Sequence, residues 1–578
     1  MNRSKSETKL KLLAIIMAAL IFALGCASTA STATPIPPAK PAPPSAPTAL
    51  PVTNPLPTFS MVPIATVAIP TPTRVLPTPT PMVTGKPQYG GALRFAHLLA
   101  IDSLDPLYST FGGTYQELYA VYDQLFRIDE AGNVLPSLAQ SWDFSTDGKD
   151  ITLRLQKGVK FHDGTTFAAE VVKWNFDRML DSKQNSPRTA DLKPYLQKVE
   201  ALGEDSLKMQ LYNPFRPLLP QLGSEPMGFL VSPSAVSKYG GGREGNYGRN
   251  PVGTGPFRFI EWVPDDHVLL RRNESYWETG NPYLDSILVL GIKDPSVRIA
   301  MLRTGEADVI YSGDVQGQDV PIIERNQQLK VVRLPGSGTY FLHFNPAVPP
   351  FDNKSLRQSI AFSMDRSAFI KVVLGGVGTP AYTLTAAGWA YNPDLKPIEF
   401  NIVKAKQKLT EAGYPKGIVV PMGCPSSGVY LQMCEFAQAM AKEAGINIEI
   451  KLLNPTTYFD SVTDAGFYVR WGFGATQWFF RVDPHTLIQN LAYSAGKFQR
   501  MGGYKNPEID ALIEQAATTY DTAKAKLLYD KIQSTTTEDV LGAFLARSEG
   551  LYPMNKRVQG FVPYPTRFEH LEFVWFEK

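Results

Sequence analysis

Residues 141–180, SWDFSTDGKDITLRLQKGVKFHDGTTFAAEVVKWNFDRML, decide the fold class because their pattern changes character twice. Ser141 onward reads as a strand, Asp147-Gly148 as a hairpin turn and the next run as a returning strand. A second turn at Asp163-Gly164 leads into helical periodicity. Thr166, ahead of Phe167 and with Glu170 four places on, signals where that helix begins. Strands and helices thus alternate within forty residues, which is the mark of an α/β chain.

The same alternation runs outward in both directions. Toward the N-terminus, Gly90–Leu99 alternates small and apolar residues as a strand does, and Thr114–Asp129 sets Leu118, Val121, Tyr122 and Leu125 at helical spacing. Toward the C-terminus, Val297–Tyr311 reads as a helix stopped by Gly305 and a strand from Ala307 to Tyr311. Ala412-Gly413 and Pro415 close another helix, and Ile446, Ile448 and Ile450 mark a half-buried strand. Glu508–Asp539 contains two long amphipathic helices. The body of about 490 residues exceeds the roughly 250–300 at which one core stops growing, so at least two lobes are expected.

The first residues follow other rules. Four Lys or Arg residues precede Leu12–Gly25, an uncharged run of fourteen residues. That is shorter than the roughly 20 residues of a membrane span and has the layout of a secretory signal. Between Pro35 and Pro87 stand seventeen prolines, with Lys40, Arg74 and Lys86 the only charges. Such a segment buries too little apolar surface to offset the entropy of ordering it, and proline favours extended chain, so a stalk is expected. An exported chain permits a disulfide, but the spacing of Cys424 and Cys434 suits either a bridge or two buried thiols.

The sequence carries none of the common catalytic or nucleotide-binding motifs. There is no G-x-S-x-G, H-E-x-x-H, G-x-x-x-x-G-K-[ST] or C-x-x-C motif, and the glycine pairs near 253, 336 and 376 lack the third glycine of a dinucleotide loop. His97, His162, His267, His343, His485 and His570 are scattered without metal-ligand spacing. A net charge of +3 offers no basic field for nucleic acid. No catalytic residue, metal or cofactor is therefore expected.

Ala23-Leu24-Gly25-Cys26 resembles the lipobox of bacterial lipoproteins, which implies acylation of Cys26, a signal peptide of residues 1–25 and an anchored stalk of residues 26–87. In the body, SLDP (103–106), PSLAQSWDFSTDGK (136–149), GVKFHDGTTFAAEVV (158–172), NPVGTGPFRF (250–259), RNESYW (272–277), LRTGEADVI (302–310), FNPAVPPFDNKSLRQSIAFSMDR (344–366) and GYPKG (413–417) occur in order. Together they resemble the extracellular solute-binding proteins of ABC importers, in the class that includes dipeptide, oligopeptide and nickel binders.

The resemblance implies a two-lobe binding-protein fold with a hinge. Lobe I would comprise residues 88–340 and 546–578, with 129–250 as an extra subdomain, and lobe II residues 341–545. It implies capture of a small solute, peptide-like first and sugar second, by a monomer that serves ABC permease subunits and is tied to the membrane by its lipid. Nickel ranks low, because His485 is the only histidine near the loop that carries ligand contacts in the family.

That loop is Gly474–Leu487, and peptide-binding relatives place an aspartate three residues before the Asp-Pro or Glu-Pro pair. Here Phe480 stands at that place. Trp478, Phe480, Arg481 and Asp483 are the candidates on the loop, joined by Leu104, Tyr340 and Trp389 from neighbouring loops. Trp478, Phe479 and Phe480 form an aromatic cluster that reads either as faces stacking on the solute or as ordinary core at a strand end, and Arg481 beside them would grip a carboxylate. The alternatives are a secreted hydrolase acting on peptides or glycans, and a ligand-sensing module that contacts a receptor.

Overall fold

A computed structural model describes residues 85–98, 101–110, 112–385, 388–395, 398–426, 428–454, 458, 472–479, 482–496, 503–566 and 568–578. The signal, Cys26, the stalk up to residue 84, Phe480 and Arg481 lie outside the described residues.

One large sheet organises the body. Its strands are β1 (Ala92–His97), β2 (Phe257–Val263), β3 (His267–Arg272), β4 (Ser286–Gly291), β5 (Val309–Ile310), β6 (Leu329–Phe344), β7 (Ile418–Pro425), β8 (Ile446–Leu453), β9 (Phe473–Phe479) and β10 (Gly542–Asn555). They lie in the order β8-β7-β9-β6-β10-β5-β1-β4-β3-β2, and a short strand at Thr379–Pro380 pairs with β10. β1 runs parallel to β4 and β5, and β7 parallel to β8 and β9. The long strands β6 and β10 pair antiparallel from Leu329↔Asn555 to His343↔Gly542, with register shifts at Pro335/Gly338 and Tyr340/Phe341.

Each long strand contributes to more than one core. Leu342 and Phe344 of β6 and Ala543, Leu545 and Ala546 of β10 pack with β7, β9 and the helices Lys354–Ser363 and Gly428–Glu443. At their other ends, Tyr552 and Met554 join Leu93, Phe95, Ile287 and Val289 of β1 and β4, while Leu329 and Leu551 join Ala96 and Ile310. A third core belongs to a separate four-stranded antiparallel sheet in the order Ala139–Phe144, Asp150–Leu155, Ser206–Leu211, Leu196–Ala201. One face of that sheet, with Ile151, Leu153, Leu207 and Met209, is covered by Val172 and Phe176 of the helix Ala169–Leu180. Burial on one face and water on the other is what an alternating antiparallel strand allows.

Several elements depart from the local pattern for identifiable reasons. The helix expected over Thr114–Asp129 spans only Tyr115–Val121, and Phe126–Ile128 is a strand. Its extension is given up because the carbonyls of Val121, Asp123, Gln124 and Leu125 accept from the backbone of Gly255, Leu230, Leu138 and Ala139, while buried Asp123 accepts side-chain hydrogen bonds from Thr254, Tyr276 and Trp277. The helix signalled at Thr166 begins at Ala169, with Ala168 at the cap and no side-chain cap bond, because Thr166 pairs its backbone with Lys160. β5 is two residues long rather than five, since fully buried Asp308 turns its carboxylate to Arg94 and Arg557. Cys424 and Cys434 form a disulfide with their Cα atoms 6.4 Å apart. Among the described residues no helix is long and apolar enough to cross a membrane.

Candidate functional site

Strand period two builds the site. On β9, Phe473 and Ala475 enter the core beside Phe344 and Leu342, their cross-strand partners on β6. Continuing on that face, Gln477 lies opposite Tyr340 and Phe479 opposite Gly338. Past the end of the core these side chains line a cleft that opens to solvent. Gly338 is required there: a Cβ would come within 2.7 Å of the Trp478 carbonyl oxygen.

The cleft draws its other walls from distant parts of the chain. Ser312–Gly317, the turn after β5, forms one side; Leu374 and Val377 form another; Ser548, Glu549 and Leu551 of β10 form the floor. Gln477 donates to Ser548 Oγ at 3.1 Å, and Glu549 lies 3.4 Å from Arg333. Phe479, the last residue of β9, remains 42% exposed, which is unusual for a large apolar ring. The lining therefore mixes an aromatic face, aliphatic side chains, neutral hydrogen-bonding groups and the Glu549 carboxylate, which suits an organic solute with both apolar and polar parts.

The described candidates from the sequence fall in four places. Tyr340 lines the cleft. Trp478, one residue out of phase with Phe479, packs on the opposite face of the sheet against Phe341, Leu384, Leu487 and Phe544. Leu104 is buried in the core around β1, and its carbonyl accepts a hydrogen bond from Tyr122. Asp483 and Trp389 form a separate cluster: Asp483 caps the helix α1 (Pro484–Ala492) by accepting from His485 N at 2.9 Å and forms an ion pair with Arg216 at 2.7 Å. The Arg216 guanidinium also sits 4.6 Å from the centre of the Trp389 ring. Burial opposes its charge, but Asp483 and Tyr529 more than offset this and leave its pKa above the ordinary arginine value. Nearby, burial pushes the His485 pKa down to about 4, so the ring is neutral at pH 7.

Gln316, Gln477, Ser548 and Glu549 were not among the candidates read from the sequence, and Phe479 entered only as a member of the aromatic cluster Trp478–Phe480. Alternation counted from Phe473 would have placed Gln477 and Phe479 on one face, but Ser312–Gly317 and β10 meet them only in the folded chain. Among the described residues no group of three or more His, Cys, Asp or Glu could hold a metal ion.

Comparison with known proteins gives a consistent result. The glutathione-binding protein GsiB of Pectobacterium atrosepticum is 29% identical over 472 residues, covering 80% of this chain and 90% of that protein. GsiB of Escherichia coli strain K12 is 30% identical over 421 residues, covering 71% and 80%. Among solved structures, the periplasmic binding protein DppA of Helicobacter pylori in complex with the peptide STSA superposes with a TM-score of 0.74 at 26% identity, covering 85% of this chain and 99% of that one. The dipeptide binding protein of Pseudoalteromonas sp. SM9913 in complex with Met-Leu gives 0.73 at 25% identity, covering 84% and 100%. These neighbours are two-lobe periplasmic binding proteins. The family model for bacterial extracellular solute-binding proteins, family 5, matches residues 133–499, well over half of the chain. With the fold, the cleft and the relatives in agreement, the chain belongs to the bacterial extracellular solute-binding proteins of family 5.

Proposed function

We propose that this protein captures a peptide-like solute in the cleft beside Tyr340, Gln477 and Phe479 and hands it to an ABC permease. The observation that carries the reading is the position of the cleft. It lies where β6 and β10 pass from one core to the next, and its walls come from both sides of that crossing. A solute touching both walls favours the arrangement that brings them together, by its differential affinity for that arrangement. Three of the ligands named for relatives, glutathione, a tetrapeptide and Met-Leu, share a backbone amide and a small size. The Phe479 ring offers such molecules an apolar contact, and the amide, hydroxyl and Glu549 carboxylate groups around it offer polar partners.

The finer parts of the reading belong to the same proposal. The hinge is the β6/β10 pair; lobe I is residues 88–340 and 546–578 with the subdomain 129–250, and lobe II is residues 341–545. The protein binds and releases its solute without a catalytic step, acts as a monomer, and is exported and held at the outer face of the cell membrane, or in the periplasm, by an acylated Cys26 at the end of a proline-rich stalk. Metabolic labelling with a palmitate analogue should mark the protein and fail to mark a Cys26→Ser variant.

A melting screen tests the central claim. Glutathione, di- to pentapeptides, sugars and nickel chelates are added to purified protein, and binding to the folded state alone raises the melting temperature. A shift with a peptide-like compound, matched by the mass of a solute recovered from natively purified protein, is the expected result. No shift with any class, and no recovered solute, would overturn it.

A further inference from the structure

Phe215, Leu218, Leu219 and Leu222, which flank Arg216, belong to the core of the four-stranded sheet. On the other side of the contact, Ile488 and Ala492 of α1 pack with the helices α2 (Pro507–Thr518) and α3 (Thr522–Glu538). Between Arg216 and Asp483 the chain runs through β6, so the two groups meet across the crossing strands with no local covalent tie. Their side chains are only 10% and 2% exposed, and Gln221 donates to Thr486 Oγ1 at 2.9 Å beside them.

We propose that Arg216 is a positioning residue for solute capture, clamping the two sides together through Asp483 and the face of Trp389 without touching the solute. This rests on the two-lobe capture reading above. A buried ion pair gains little over two solvated charges, but breaking it by removing one partner leaves the other charge buried and uncompensated. The pair therefore tolerates two conditions, both charges docked or both in water, and penalises partial docking. It specifies one closed geometry. The planar guanidinium suits the task, because it meets a carboxylate at its edge while an aromatic ring covers its face. It also accounts for two candidate residues at once: Asp483 is committed to Arg216 and the α1 N-terminus, and Trp389 has its ring against the cation.

The test reads closure directly and needs no solute. In full-length protein with Cys26→Ser, Gln221→Cys and Thr486→Cys are introduced, and the rate of crosslinking by a short bis-maleimide reports how often the two surfaces meet. Arg216→Met and Asp483→Asn should each slow crosslinking about tenfold, because each leaves an unpaired charge in the closed form. The double variant should be no slower than the worse single one, as expected for two residues acting as a unit. Arg216→Lys should recover part of the rate. Circular dichroism establishes that each variant is folded, and Asp483→Asn, which keeps a capping side chain, stands in if Arg216→Met is not. No crosslinking in the parent pair, rates within about twofold across all variants, or additive losses would overturn the proposal. Such a result would leave solute capture itself intact, which the melting screen decides separately.

Discussion

Phe479 carries its ring into solvent at the mouth of the cleft, where it adds little to the fold. Phe479→Ala should therefore move the melting temperature by no more than about 2 °C while weakening solute binding at least about tenfold, the worth of one stacked aromatic contact. Isothermal titration with the solute chosen by the melting screen measures it. Glu117 poses the opposite case. It is buried on the Tyr115–Val121 helix, neither carboxyl oxygen has a hydrogen-bond partner among the described residues, and burial pushes its pKa up to about 8. A carboxyl whose pKa is higher folded than unfolded contributes stability below about pH 4.5 and loses it as pH rises through about 8. Glu117→Gln should remove that loss and raise the unfolding free energy at pH 8 by on the order of 3 kcal/mol relative to the parent, with little difference at pH 4.5. Buried His97, His162 and His485, all pushed down to about 4 by burial, slope the other way: their stability is present above about pH 6.5 and is lost as pH falls through about 4. The comparison of urea melts for parent and variant at each pH cancels their contribution.

At the scale of elements, the register of β6 against β9 controls the cleft. Gly338→Val would drive side-chain atoms into the Trp478 backbone and should cost about 3 kcal/mol, read from denaturant unfolding, together with solute binding. The disulfide joins the end of β7 to the helix Gly428–Glu443 across a separation of ten residues. Its reduction should lower stability by about 2–3 kcal/mol through the entropy of the freed loop, and Cys424→Ala with Cys434→Ala should match the reduced protein. Most elements were legible where the local signal had no competitor. Gly305 ends the helix Pro295–Thr304 in the left-handed region, at φ 80°, and Asp147-Gly148 turns the hairpin between Ala139–Phe144 and Asp150–Leu155. The helix after Thr114 was misjudged in length because apolar spacing continues through Tyr122 and Leu125, whereas the partners of Asp123 lie more than a hundred residues away.

At the scale of the whole molecule, the described cores are built from residues 93–574. A chain begun at Gly85 should melt within about 2 °C of the full-length protein and bind the same solute, since proline-rich chain adds no buried surface. Scanning calorimetry on both forms checks this. Composition and periodicity by themselves determined that the body is α/β and too long for one core, because local propensity and the range of a single hydrophobic core act without knowledge of topology. Ordered motifs determined the family resemblance. Only the tertiary structure decided that Phe479 faces the cleft while Trp478 turns to the far side of the sheet, and that Asp483 is answered by Arg216. Strand pairing across the sheet sets the first, and the meeting of two cores from opposite ends of the chain sets the second; neither leaves a trace in the spacing of neighbouring residues.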